Sequence, residues 1–587
     1  MNLRRFFGLC TLAALVFTVA VGETVSADNP TKKEVRLAQK KAAELKKAAD
    51  AKKAAEDAAK VAAAKPKPAT PAGNPAFSKV EPPEPATPLK PAFIGTANDT
   101  TAVARFIDAQ ILKKQIEEKV TAAPLATDAE FLRRAYLDIT GVIPTADQAK
   151  AFLVSTETTK RAKLIDDLLA STNYGHHQAD IWMNLLIQKS SDNRRIDFSS
   201  MRPWLAGEFN ANRPWNELVS EIVTASGEQE KNPAVGFYLS NTTVDKMTDD
   251  VCKVFLGLQL QCAQCHNHPF TGWRQTEYWA MAQFFMKVEI DGLAKDGKPG
   301  IIETNNVKRK KNPLPESAQT VSAKFLQAEE PKLDKTSPYR PTLAKWMTSQ
   351  TNPFFAKAMV NRMWAELFGY GIVNPVDDMV GQNLPSHPDM LNALAADFAA
   401  NKYDLKQLIR AICNSDAYQR SSKPSAGNEK AAEWTFARMA MKVLSPEQIY
   451  DSISSVTGGE KAEGKQPMKG MMNKGQAVGP RERFVNFYLA GSEQLSTVEY
   501  EAGIPQALKL MNSRIVGNPN IAKTYAKPGT KPADAIQQMY LATLSRMPTE
   551  AETKRLTEYL GKSSTTADGY GDILWALLNS SEFALTR

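Results

Sequence analysis

From Thr100 onward apolar residues recur at steps of three and four, a spacing that confines the chain to folds in which helices pack on helices. The clearest run is Val244, Met247, Val251, Phe255 and Leu258, which predicts a helix ending near Gln261, with Pro269 forbidding much continuation. Upstream, Phe131, Ala135 and Leu137 precede the turn Thr140-Gly141-Val142-Ile143-Pro144, and Leu164, Ile165, Leu168 and Leu169 mark the next helix. Trp182, Trp204, Phe209 and Trp215 continue the pattern as core aromatics. Downstream, Asn352-Pro353 opens a helix whose buried face is Phe355, Met359, Met363, Trp364 and Leu367, and Gly369 stops it. Ser386 is expected to cap the helix of Leu391, Leu394 and Phe398; Ser445-Pro446-Glu447 starts another, and Ile573 to Leu578 forms a docking helix.

This periodicity fails between Asp291 and Thr336, where glycines, prolines and the run Lys308-Arg309-Lys310-Lys311 read as a solvated linker carrying a short hairpin around Ile301-Ile302-Glu303. A body of this length exceeds a single core. The expected plan is therefore mainly α: a helical domain at 100–290, an irregular linker at 291–335 and a second helical domain at 336–587.

Residues 28–99 precede that body as a stalk. Thr31 to Ala64 is almost all Ala, Lys and Glu with no apolar stripe to bury, and Lys65 to Pro91 is studded with prolines that favour an extended chain. Of the net charge of +9, residues 1–27 carry +1 and residues 28–70 carry +6, leaving +2 for the rest. The basic character thus belongs to the tail, and a nucleic-acid partner is not expected. Arg4 and Arg5 before the apolar run Phe6–Val21, with Val25-Ser26-Ala27 behind it, read as a signal peptide over 1–27. Export to the periplasm, envelope or exterior follows, with no transmembrane span after cleavage.

Past the leader four cysteines remain, Cys252, Cys262, Cys265 and Cys413, too few to staple such a chain. Two of them lie in Cys262-Ala263-Gln264-Cys265-His266-Asn267-His268. Cys-x-x-Cys-His is the attachment signature of c-type haem: two thiols that form thioethers, and a histidine, His266, that ligates the iron. Met281, Met286, His176, His177 and His387 are candidate distal ligands. The second histidine keeps a zinc site open, with Cys262, Cys265 and His268 as three ligands and His266 or a remote group as the fourth. A disulfide or a plain thiol pair is the third reading. The aromatics that follow, Phe270, Trp273, Tyr278, Trp279, Phe284 and Phe285, suit a haem wall or an ordinary core equally. Elsewhere Asp377-Asp378 is expected to pair with Arg362 or Arg410 in a salt network. The chain has no Walker loop, Gly-x-Ser-x-Gly elbow or His-Glu-x-x-His helix.

Arg133-Arg134-Ala135-Tyr136-Leu137-Asp138-Ile139-Thr140-Gly141, Lys163 to Ser171 and Gln261 to Phe270 resemble the first of two tandem domains of unknown function in an exported family typical of planctomycete bacteria. Asn352 to Phe355, Val360 to Trp364, Val376 to Met379, Ser386-His387-Pro388, Ile409 to Ser415 and Trp575 to Ser580 resemble the second. The resemblance covers nearly all of 100–587. It implies a cytochrome-associated protein, since many members carry an additional N-terminal cytochrome c-like domain; no biochemical activity follows from it. Here the stalk stands in place of that domain, which argues against a multi-haem relay. Asn267 stands where many relatives are expected to have an acidic residue, which argues against a cation held by a carboxylate there. The expected function is electron transfer or redox sensing at the envelope through haem c, with an unidentified redox partner. The alternatives are a zinc-site protein and a non-enzymatic envelope module that binds polysaccharide or protein.

Overall fold

The computed structural model describes residues 86–187, 196–268, 271–292, 297–305, 315–379, 383–458, 479–489, 508, 510–512, 524–525 and 529–586. The signal peptide expected at 1–27, most of the stalk expected at 28–99 and the run Lys308 to Lys311 lie outside these residues. The described residues belong to one compact unit, Val80–Arg587, and it is mainly helical. No helix among them is long and apolar enough to cross a membrane.

The helix ends follow the local chemistry. Thr127 accepts the Glu130 N–H at the start of Asp128–Thr140, and Gly141 closes that helix in the left-handed region at φ 70°. Ser445 and Gln448 form a reciprocal capping box before Pro446–Thr457, with Pro446 in the first turn. Asn352 Oδ1 accepts from both Phe354 and Phe355 N–H, and Gly369 ends Phe355–Phe368. Ser386 does not cap its helix: its hydroxyl donates to the Ile372 carbonyl at 3.1 Å, and His387 takes the N-cap position before Pro388–Ala400.

Strands are few. β1 (Gly227–Glu228), β2 (Val288–Asp291) and β3 (Gly300–Glu303) form an antiparallel sheet in the order β1-β3-β2, with Ile301 opposite both Gly227 and Ile290. The hairpin expected near Ile301 is thus present, and β1 extends it. β4 (Lys442–Val443) pairs with β5 (Leu585–Thr586) and anchors the C-terminal segment.

One large hydrophobic cluster runs from Leu89 to Leu541 and includes residues on both sides of 291–335. Trp215 sits 4.4 Å from Trp182, 6.2 Å from Phe255 and 6.4 Å from Phe355 between ring centroids, so aromatics from both halves share one core. A second cluster joins Leu137 and Ile143 to Ile536, Tyr540, Ile573 and Leu578 near the C-terminus. Buried arginines satisfy carbonyls between these segments. Arg133 donates to Thr543 O at 2.9 Å and to Phe583 O at 2.7 Å, while Arg134, paired with Glu130, donates to Tyr418 O at 2.7 Å and Arg420 O at 2.9 Å. A planar guanidinium presents five donors in a fixed fork, which lets one side chain serve several such acceptors at once.

Candidate site at the paired-cysteine loop

The helix before the motif is shorter than its periodicity predicts. It runs Val244–Asp250, widens into a π-turn at Val251–Phe255 and ends before Gly257. Gly257 has φ +67°, and a Cβ there would stand 2.5 Å from Met379 Cε, so the sharp exit needs glycine. The repeat of apolar residues continues through Leu258 because the loop after the helix also packs inward; period alone cannot distinguish the two.

Cys262 and Cys265 therefore lie on a separate short 3-10 turn, Gln261–Gln264, with Cys265 as its C-cap. In such a turn residues three apart eclipse, so the two thiols still share one face. Both are free and exposed, while Ala263 between them is buried and pins the turn. The loop is held from below by the helix Gln275–Ala282. Gln275 Nε2 donates to the carbonyls of Gln264 and Cys265 at 3.1 and 2.9 Å, the Trp279 indole donates to Gln264 O at 3.0 Å, and Asn267 Oδ1 accepts the Gln275 N–H at 3.0 Å. Asn267 thus serves the helix start as a neutral acceptor.

The two histidines are set in opposite ways. His266 is exposed and its Nδ1 lies 2.7 Å from the Asn267 carbonyl. A carbonyl oxygen only accepts, so Nδ1 bears a proton, and in the neutral ring this leaves the lone pair on Nε2, the arrangement usual in metal-ligating histidines. His268 is half-buried, and its Nδ1 accepts the Thr271 N–H at 3.1 Å while its own backbone N–H donates to Trp273 O at 2.8 Å. Burial, aided by His266, lowers the His268 pKa against the pull of Asp378. The neutral ring then carries its proton on Nε2, and His268 acts as a fastener of the following turn.

Asp377 and Asp378 meet this region in place of Arg362 and Arg410. Asp377 pairs with Lys253 at 3.2 Å and accepts from Gln259 at 2.8 Å, both just upstream of the thiols. Burial and then Asp377 raise the Asp378 pKa. Arg410 pairs instead with Asp166 at 2.6 Å, and Arg362 lies over the Trp182 ring. No spacing rule links residue 377 to residue 253, so this contact was invisible in the sequence.

The aromatics after the motif are scaffold. Trp273, Tyr278, Trp279, Phe284 and Phe285 are all buried, and Phe270 lies outside the described residues. Among the distal candidates, Met281 is buried, Met286 packs partly buried on the core, and His387 stacks near Phe436 with Nδ1 3.0 Å from the Ser386 hydroxyl. His176 and His177 line a cavity that no residue of the thiol loop lines. No group of three or more His, Cys, Asp or Glu side chains among the described residues converges as a metal-binding cluster.

Residues 106–290 match the family model described as PSCyt2, protein of unknown function (DUF1549), and residues 339–560 match PSD1, protein of unknown function (DUF1553). No curated protein and no solved structure matches the chain. The chain therefore carries a DUF1549 domain followed in tandem by a DUF1553 domain, matching the two-domain family that its sequence motifs resemble.

Proposed function

We propose that the protein is an exported redox protein whose Cys262 and Cys265 hold a c-type haem, with His266 as axial ligand. The observation that carries this reading is the contact of His266 Nδ1 with the Asn267 carbonyl at 2.7 Å, which turns Nε2 to a ligand role on the same exposed loop as two free thiols. These residues fit the group. Each thiol can add across one vinyl group, sulfur to one carbon and hydrogen to the next, with nothing leaving. When bound, such a haem supplies one-electron exchange. Asn267 fixes the His266 ring, Gln275 and Trp279 hold the loop backbone, and the exposure of all three donors gives a partner direct access. The cytochrome-associated name of the first domain agrees with this assignment. A zinc site gains less support, because it draws on His268, whose Nδ1 is already engaged by Thr271.

The test is production of the chain with a haem-maturation system, followed by a pyridine haemochrome spectrum and intact mass of the mature protein. One covalent haem per chain, lost in a Cys262→Ser, Cys265→Ser double variant, is expected. A well-folded exported protein with no covalent haem overturns the reading, and about one zinc per chain in that protein turns it to the metal alternative.

A further inference from the structure

A polar cavity of about 440 Å³ opens between the helices Thr172–Leu186, Pro446–Thr457 and Pro480–Leu489. Its strong charges cancel in pairs. Asp180 binds Arg202 through both oxygens at 2.5 and 2.8 Å and Arg481 at 2.7 Å, and Arg481 also grips both oxygens of Asp451 at 2.8 and 2.7 Å. Two cations thus neutralise two carboxylates, and such bidentate pairs hold a fixed geometry.

Glu447 stands outside this balance. It is only 6 % exposed, its Oε1 accepts from Asn184 Nδ2 at 3.2 Å, and its Oε2 has no hydrogen-bond partner. Burial, reinforced by the neighbouring Asp180, raises its pKa and favours the neutral acid. A buried carboxyl oxygen without a partner costs about 1–3 kcal/mol unless something meets it. Tyr450, Ser454, Ser455 and Thr140 line the same cavity.

We propose that this cavity binds a neutral polyhydroxylated ligand, a saccharide unit, with Glu447 Oε2 sharing a hydrogen bond with one of its hydroxyls. A charged ligand would break the compensated arginine and carboxylate pairs. An apolar one would leave Glu447 unmet. A sugar offers many donor and acceptor oxygens without net charge, and the cavity falls within the roughly 300–1,000 Å³ of ordinary small-molecule sites. The site shares no residue with the thiol loop, and its fate is independent of haem attachment.

Saturation-transfer NMR and calorimetry on the mature protein, with glucose, galactose, mannose and cellobiose as probes and glucuronate and glucosamine as charged comparators, test it. At least one neutral sugar is expected to bind, and the charged pair to bind more weakly. Glu447→Gln, which keeps a hydrogen-bonding head group in place, should retain that binding, while Glu447→Leu should weaken it about tenfold or more, the cost of one buried hydrogen bond. Ser455→Trp, at an exposed rim position, should block entry without disturbing the core and serves if Glu447→Leu fails to fold. No binding by any neutral sugar, or binding unchanged in Ser455→Trp and a folded Glu447→Leu, overturns the proposal.

Discussion

The Tyr278 hydroxyl donates to Asp249 Oδ1 across 3.0 Å, tying the helix that leads into the thiol loop to the helix that supports it from below. Burial, with Asp245 and Asp250 adding to it, pushes Asp249 up to about 7 from its ordinary 3.8. The folded protein therefore keeps a proton that the unfolded chain releases between about pH 4 and 7. Stability from this group falls as pH rises through that window, by at most about 1.4 kcal/mol per pH unit. Denaturant titrations from pH 4.5 to 7.5 should show a shallower decline for Asp249→Asn, which keeps the acceptor oxygen and removes the titration. Equal slopes would remove Asp249 as the cause.

The four cysteines of the body should separate into two classes. Cys262 and Cys265 are exposed, whereas Cys252 and Cys413 are fully buried and burial raises both of their pKa values. A thiolate is the reacting species, so exposure and charge act in the same direction. In haem-free reduced protein, a brief alkylation at pH 8 read by intact mass should add two labels, with the other two appearing only in denaturant. Four labels in the native state would show that Cys252 and Cys413 are not packed as described.

Much of this arrangement was legible from local chemistry. The capping box at Ser445, the stop at Gly369 and the core places of Trp182, Trp215 and Trp364 followed from period and turn residues. What escaped depended on contacts distant in sequence. The helix ends at residue 255, before Gly257 turns the chain at φ +67° against Met379, and Asp377 reaches Lys253 instead of Arg410. The cavity around Asp180 escaped for the same reason: Asp180, Arg202, Glu447, Asp451 and Arg481 share no motif, and Glu447 read only as part of a helix start. The motif itself was plain, but which histidine is free to ligate depends on hydrogen bonds that spacing does not encode.

Those bonds predict an asymmetry between His266 and His268. In haem-loaded protein, His266→Ala should shift the Soret band and spin state, since it removes the only ring of the two whose Nε2 lone pair is free of a proton. His268→Ala should leave the spectrum in place and lower stability by about 0.5–1.5 kcal/mol, because the Thr271 N–H loses its acceptor. Parallel optical spectra and thermal melts of the two variants decide the matter. A spectral change from His268→Ala with none from His266→Ala would reverse the assignment.

Arg340 tests how the two family domains are joined. It lies at the start of the helix Arg340–Met347, at the N-terminal edge of the second matched domain, and is 1 % exposed. Its Nη1 donates to Val223 O at 3.2 Å and Ala225 O at 2.8 Å at the end of Trp215–Thr224, its Nε pairs with Glu303 on β3, and its guanidinium lies 4.6 Å over the Tyr238 ring. Arg340→Met should cost about 3–5 kcal/mol, because the buried Glu303 carboxylate and the Ala225 carbonyl lose their donor together, while Val223 O keeps the Tyr238 hydroxyl at 2.6 Å. Arg340→Lys should fall between, since one ammonium cannot span all three acceptors. The double variant Glu303→Leu, Arg340→Met removes the stranded charge and should recover part of the loss, as apolar replacements of buried ion pairs often do. Equilibrium unfolding of the four proteins separates the contributions. If the double variant is no more stable than Arg340→Met, the unmet carbonyl at Ala225 carries the cost, and Arg340 works chiefly as a cap that fastens one domain to the end of the other's helix.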